Sequence, residues 1–258
     1  MNQQEKEFCF CTLALGNKYR FLAKELAGDL EKYSPGTVLV VGTDLPKDFK
    51  ACSNVLAFKL KQAGILHCYH DKRFVIDKAL SRFRVAIQID ADTKIVDNVP
   101  DPIEWLPGIT AGHLENLVEH VETYTPERLE SLKEIALKLN IPLEKATYVG
   151  ESLFFVSRDG GKEKEFIKHW DTIARYLELK GIHSGEGNAI GMAAAKAGLK
   201  IGNSSGWETL NKIKRHMDAS YEKKPKKFWH SFQRRLGYHY RLQRTRIAAL
   251  TNFDFYYR

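Results

Sequence analysis

Three features of this 258-residue chain predict an α/β fold, with a mixed, mostly parallel sheet flanked by helices. The first part reads strand, helix, strand, the pattern of a parallel βαβ unit. Further on, Val85, Ile87 and Ile89 alternate with Ala86 and Gln88 and run directly into Asp90-Ala91-Asp92. Hydrophobic residues make up 43% of the chain, enough for a full core, and no apolar run reaches transmembrane length.

The elements follow in order. Residues 8–15 are apolar and β-prone and end at Gly16-Asn17. Tyr19, Leu22, Ala23, Leu26, Ala27 and Leu30 then recur at helical spacing as far as Lys32. Ser34-Pro35-Gly36 is a turn, and residues 37–41 form a second buried strand ending at Gly42-Thr43-Asp44. Residues 54–58 suit a short strand. A loop over 64–72 carries His67, His70 and Asp71; with no cysteine pair to support a metal site, they read as structural or substrate-contact groups. Phe74, Ile76, Ala79 and Leu80 make a helix that feeds the Asp-x-Asp strand. Pro100, Pro102 and Pro107 predict a long irregular segment up to Gly112. Residues 113–124 show no single period.

In the second half, Thr125-Pro126-Glu127 starts a helix, with Thr125 as N-cap and Pro126 at its first position. Residues 148–156 are β-like but interrupted by Gly150-Glu151. Phe166, Ile167, Trp170, Ile173, Ala174 and Leu177 line a helix that closes at Gly181. The glycine-rich turn at 183–188 opens a small-residue helix over 189–197. Trp207, Leu210, Ile213 and Met217 share one face of another helix. Phe228, Phe232, Leu236 and Tyr240 then repeat every four residues among Arg234, Arg235 and Arg241, giving a basic, aromatic, amphipathic helix.

The net charge of +8 sits at the end of the chain: from Glu208 onward, thirteen Lys and Arg face four acids. Such a surface meets anions. It divides the chain into residues 1–205, read as the α/β domain, and residues 206–258, a basic helical extension packed on it. No nucleic-acid-binding module is recognisable. Cys9, Cys11, Cys52 and Cys68 lack zinc-type spacing and read as reduced thiols of a cytoplasmic protein. The polar start, with Glu5 and Glu7, predicts no secretory signal peptide. The expected location is the cytoplasm, with peripheral contact between the basic tail and the anionic inner face of a membrane.

Carboxylates at the C-terminal end of a strand lie where open α/β sheets bind ligands. Asp90 and Asp92 suit a hard divalent cation, Mn2+ or Mg2+; the same pair also suits a turn cap after a buried strand. Gly16 leaves backbone accessible at the matching end of the first strand, and Asp44 stands at the end of the second. Lys72-Arg73 at a loop mouth suits a diphosphate, or a solvated surface. Glu186 opens its helix without the Gly-Lys-Ser/Thr ending of a phosphate loop. It reads as an acceptor of substrate hydroxyls, a catalytic carboxylate, or a residue stabilised by the helix dipole.

Over residues 8–202 this set resembles the nucleotide-sugar glycosyltransferases of the GT-A (Rossmann-like) fold, of the glycogenin- and galactosyltransferase-like family 8 type. The likeness rests on the first strand and helix, the helix leading into Asp90-Ala91-Asp92, the strand over 148–156, and Glu186. It implies a hexosyltransferase that moves a sugar from a nucleoside-diphosphate sugar, a UDP-sugar first among them, to a glycan, lipid-linked or other hydroxyl acceptor. It further implies that Asp90 and Asp92 hold Mn2+ or Mg2+, with Asp90 also near the ribose. Leu15, Gly16, Tyr19 and Asp44 would hold the nucleoside, and Lys72 and Arg73 the phosphates. Glu151 and Glu186 would face the acceptor, one of them as general base. The family's late metal-binding histidine lies in a His–Gly–Lys–Pro–Trp type segment, which Lys224-Pro225 and Phe228-Trp229-His230 echo in a different order; His230 or His216 would complete the shell. Two rivals remain: a basic-tailed anion-binding protein without catalysis, and a haloacid-dehalogenase-like phosphatase, whose Asp-x-Asp motif has Thr or Val where this chain has Lys94.

Overall fold

The computed structural model describes residues 6–217, 219 and 228–258, the side chains of 228–231 excepted. The strands are β1 (Phe8–Ala14), β2 (Leu39–Thr43), β3 (Val55–Lys59), β4 (Val85–Ile89), β5 (Thr93–Ile95), β6 (Ile109–Ala111), β7 (Leu114–Asn116), β8 (Thr147–Val149), β9 (Leu153–Ser157), β10 (Ile201–Gly202) and β11 (Lys214–His216). The helices are α1 (Gly16–Tyr33), α2 (Lys72–Leu80), α3 (Leu117–Tyr124), α4 (Leu129–Leu139), α5 (Lys162–Leu179), α6 (Glu186–Ala197), α7 (Ser205–Ile213), α8 (Phe228–Ala249) and α9 (Phe253–Tyr257).

Among the described residues seven strands form one sheet in the order β10-β6-β9-β4-β1-β2-β3. β4, β1, β2 and β3 run parallel, and β9 runs antiparallel between β4 and β6. This is the predicted α/β architecture, with its mostly parallel mixed sheet and a C-terminal helix. Every residue of β4 is buried, because both of its faces are covered. On one face Cys9, Cys11, Val40, Ala86 and Phe154 pack with residues of α2, α5 and α6. On the other, Phe10, Leu39, Ile87 and Phe155 pack under α1, and Leu210 of α7 joins them. All four cysteines are free thiols.

Several local expectations are corrected. The proline-rich segment before Gly112 contains β6, a sheet strand set between β9 and β10. The aperiodic stretch after it holds β7 and α3; Asn116 caps α3, accepting from the N–H groups of Val118 and Glu119. Thr125 does stand at the N-cap position with Pro126 next, but it opens a turn of 3-10 helix that precedes α4 at Leu129; its hydroxyl makes no capping bond, and its N–H closes α3 on the Val121 carbonyl. The small-residue helix starts earlier than expected, at Glu186, after Gly185 in the left-handed region at φ +83°. Met217 does not continue α7. The chain becomes extended at Lys214 and pairs antiparallel with β5, so cross-strand hydrogen bonds replace a further helical turn.

Glycine allows α6 to lie tightly on β8. A Cβ at Gly191 would stand 1.9 Å from the Thr147 carbonyl oxygen, and one at Gly187 would stand 2.4 Å from that of Val149. This close approach fixes Glu186, at the start of α6, relative to the turn between β8 and β9.

Candidate functional site

Five segments meet at the C-terminal edge of the parallel strands. β1 hands over to Leu15 and α1. β4 turns through Asp90-Ala91-Asp92, where the Thr93 N–H donates to the Asp90 carbonyl at 3.1 Å. α2 and α6 bring Lys72 and Glu186. The turn between β8 and β9 brings Glu151. Together they line a cleft of about 630 Å³ whose walls include Leu13, Leu15, Tyr19, Lys72, Asp90, Asp92, Glu151, Glu186 and His216. That volume falls within the range of small-molecule sites.

Lys72 is the hub. Its Nζ lies 2.8 Å from Asp90 Oδ1 and 3.1 Å from Glu186 Oε1, and it donates to the Glu151 carbonyl at 3.1 Å. Burial opposes its charge, but the carboxylates of Asp90 and Glu186 outweigh burial and push its pKa up. Burial raises the Asp90 pKa, and Lys72 works against that rise. Glu151 is pushed up to about 7 by burial and then by the nearby charge of Glu186, against the pull of Lys72 and of the Tyr148 hydroxyl. That hydroxyl donates to Glu151 Oε2 at 2.9 Å.

Asp92 is buried and held by a different part of the chain. Its carbonyl accepts from the Met217 N–H at 2.8 Å, and its Oδ2 accepts from the Ala219 N–H at 3.0 Å. β11 sets His216 Nδ1 3.7 Å from Asp92 Oδ1. Donor atoms of Asp90, Asp92 and His216 all lie within 4.8 Å of one another. Two carboxylates and one imidazole, with one Asp92 oxygen already fixed by a backbone amide, fit a hard or borderline divalent cation such as Mn2+ or Mg2+.

The remaining expected site residues lie elsewhere. Gly16 and Asp44 meet each other, the Gly16 N–H donating to Asp44 Oδ1 at 3.1 Å, and Arg20 binds the same oxygen at 2.6 Å. Their carboxylate is thereby engaged at the start of α1. Arg73 turns away from Lys72 and pairs with Asp171 of α5 at 2.7 Å. The side chain of His230 lies outside the described residues. His70 is buried and accepts from Trp170 Nε1 at 3.1 Å, and burial lowers its pKa to about 3. Asp71 accepts from the N–H groups of Ala63 and Gly64.

Some cleft residues had no local signal. Gln62 and Ser184 line the walls, and Arg234 reaches in from α8. His67, expected as a structural or substrate-contact group, does line the cleft, stacked on Tyr69 with ring centroids 4.9 Å apart. α8 is tied down by Arg241, whose Nε donates to the Ile65 carbonyl at 3.0 Å. No helix among the described residues is long and apolar enough to cross a membrane.

No protein-family model matches the chain, and no curated protein matches it in sequence. Fold and site define an α/β protein with a mostly parallel mixed sheet, compatible with a Rossmann-like fold, and with an Asp-x-Asp group at the edge of that sheet.

Proposed function

We propose that the protein is a metal-dependent glycosyltransferase that takes a sugar from a nucleoside diphosphate, with UDP as the first candidate, and passes it to a hydroxyl acceptor. One observation carries the reading. Asp90 and Asp92 from the end of β4 and His216 from β11 converge in a cleft that also holds a carboxylate of raised pKa, Glu151.

When bound by Asp90, Asp92 and His216, Mn2+ or Mg2+ supplies positive charge against the diphosphate leaving group. Lys72 keeps Asp90 in place and offsets part of the site's negative charge, so that an anionic diphosphate meets less repulsion. Leu13, Leu15 and Tyr19 give an apolar and aromatic wall beside Asp92, suited to a nucleoside. Glu151 is poised to accept a proton from an acceptor hydroxyl near neutral pH, and Tyr148 orients it. Glu186, paired with Lys72, is the more constrained carboxylate and suits hydrogen bonding to substrate hydroxyls.

The acceptor side fits a substrate delivered at an anionic membrane surface. Phe232, Leu236 and Tyr240 on α8 are exposed, with Arg235 and Arg244 exposed beside them. The test is calorimetric titration of UDP and of a UDP-sugar panel, with and without Mn2+, against wild type and Asp92→Ala. Cation-dependent binding that the substitution abolishes supports the reading; no nucleotide binding by either protein overturns it.

A further inference from the structure

A second group of metal-binding side chains lies outside the cleft. His113 precedes β7, Glu115 is within it, and His120 is on α3. His113 Nε2 stands 3.1 Å from Glu115 Oε1, and His120 Nδ1 stands 2.6 Å from Glu115 Oε2. The three donor atoms lie within 4.8 Å of one another. A tetrahedral zinc ion spaces its nitrogen and oxygen ligands by roughly 3.4 Å, given bonds of about 2.0–2.1 Å. Small side-chain rotations are therefore enough to close the three around one ion.

Local structure builds this convergence. The β7–β8 ladder pairs Glu115 with Tyr148. Asn116 caps α3 at once, so the chain reverses and brings His120 back over Glu115. The His120 ring is held flat on Tyr148, with centroids 3.5 Å apart and planes 13° apart. The Gly150 N–H donates to the His113 carbonyl at 2.9 Å, which anchors His113 to the turn that carries Glu151. The His120 side chain is 14% exposed and that of His113 60%, so one ligand is fixed and the other is open to solvent. An ion could enter from that side and keep a water in its remaining position.

We propose that His113, Glu115 and His120 form a second metal site, selective for a borderline transition ion with zinc foremost. The donor sets argue for two classes of ion. Two imidazoles and one carboxylate favour zinc and its neighbours, whereas the cleft triad, with two carboxylates and one imidazole, favours Mn2+ or Mg2+. The second site lies one aromatic ring from Glu151: His120 stacks on Tyr148, and Tyr148 hydrogen-bonds Glu151. The ion would clamp β7 to α3 and hold that ring in place. This inference does not depend on the glycosyltransferase reading.

The test uses metal-free full-length protein at neutral pH, Zn2+ titrated in competition with a chromophoric chelator, and thermal unfolding with and without the ion. Asp92→Ala removes a cleft ligand and should retain zinc binding and the accompanying rise in Tm. His113→Ala/His120→Ala should weaken zinc binding more than about tenfold and lose that rise. His113→Ala alone removes an exposed ring, so it reports on the site even if the double variant does not fold. Glu115→Gln should also weaken binding while leaving an oxygen to accept from the histidines. The proposal is overturned if Asp92→Ala protein binds no zinc. It is equally overturned if binding in His113→Ala matches wild type, which would leave the cluster as a hydrogen-bonded brace.

Discussion

Replacing Lys72 with methionine keeps most of the side-chain volume and removes the charge at the centre of the cleft. Lys72 is buried, and its Nζ is shared by Asp90 at 2.8 Å and Glu186 at 3.1 Å, together with the Glu151 carbonyl. Without it two carboxylates face each other with no cation between them. Removing one partner of a buried ion pair costs about 3–5 kcal/mol. The cost should depend on pH, because Asp90 can escape it by binding a proton. Burial already raises the Asp90 pKa, and the variant removes the Lys72 charge that works against that rise, so the folded-state value climbs further above that of the unfolded chain. A raised acid pKa costs stability progressively as pH climbs from the unfolded to the folded value. The stability gap between wild type and Lys72→Met should therefore be small near pH 5 and approach its full size near pH 8, by roughly that ion-pair magnitude. Urea denaturation followed by tryptophan fluorescence at both pH values measures it. A gap below about 1 kcal/mol, typical of exposed pairs, or one unchanged between the two pH values, would refute the hub.

Other consequences can be checked separately. If Glu151 takes the acceptor proton, transfer should fall about tenfold per pH unit below about 7, where its carboxyl is protonated, and Glu151→Gln should lower the rate by about 10²–10⁴ and erase that limb; an unchanged pH profile in the variant would remove Glu151 from the role. Gly191→Ala places a Cβ 1.9 Å from the Thr147 carbonyl, so it should destabilise by about 1–3 kcal/mol despite the better helix propensity of alanine; a rise in Tm would mean α6 does not sit tightly on β8. Each basic residue near an anionic membrane is worth about 1 kcal/mol, so Arg235→Gln/Arg244→Gln should weaken binding to anionic vesicles by roughly 30-fold. Wild-type protein that ignores such vesicles in a flotation assay would leave α8 with no lipid role.

Local pattern carried the sheet centre and failed where partners are remote. Alternation in β4 and the helical period of α1, α2 and α5 are properties of contiguous residues, and the strand end at Asp90 follows from them. β6 has only three residues, beside prolines, and is a strand because β9 and β10 supply its hydrogen bonds from far along the chain. His216 reached Asp92 through the β11–β5 ladder, which no periodicity around residue 214 announces. Arg73 follows Lys72 in sequence, but one step along α2 rotates it about 100°, away from the cleft and onto Asp171. Asp44 does stand at the end of β2 as expected, yet Arg20, one helical turn into α1, binds it there. Hydrogen-bond partners chosen by tertiary packing decided each of these cases.

A nucleoside diphosphate in the cleft should be held through a cation bound by Asp90, Asp92 and His216. Titration calorimetry with UDP in the presence and absence of Mn2+, on wild type and on Asp92→Ala, decides this. The expected result is binding that needs Mn2+ and is lost in Asp92→Ala; wild-type protein that binds no nucleotide, or binds it equally well without the cation and without Asp92, would refute it.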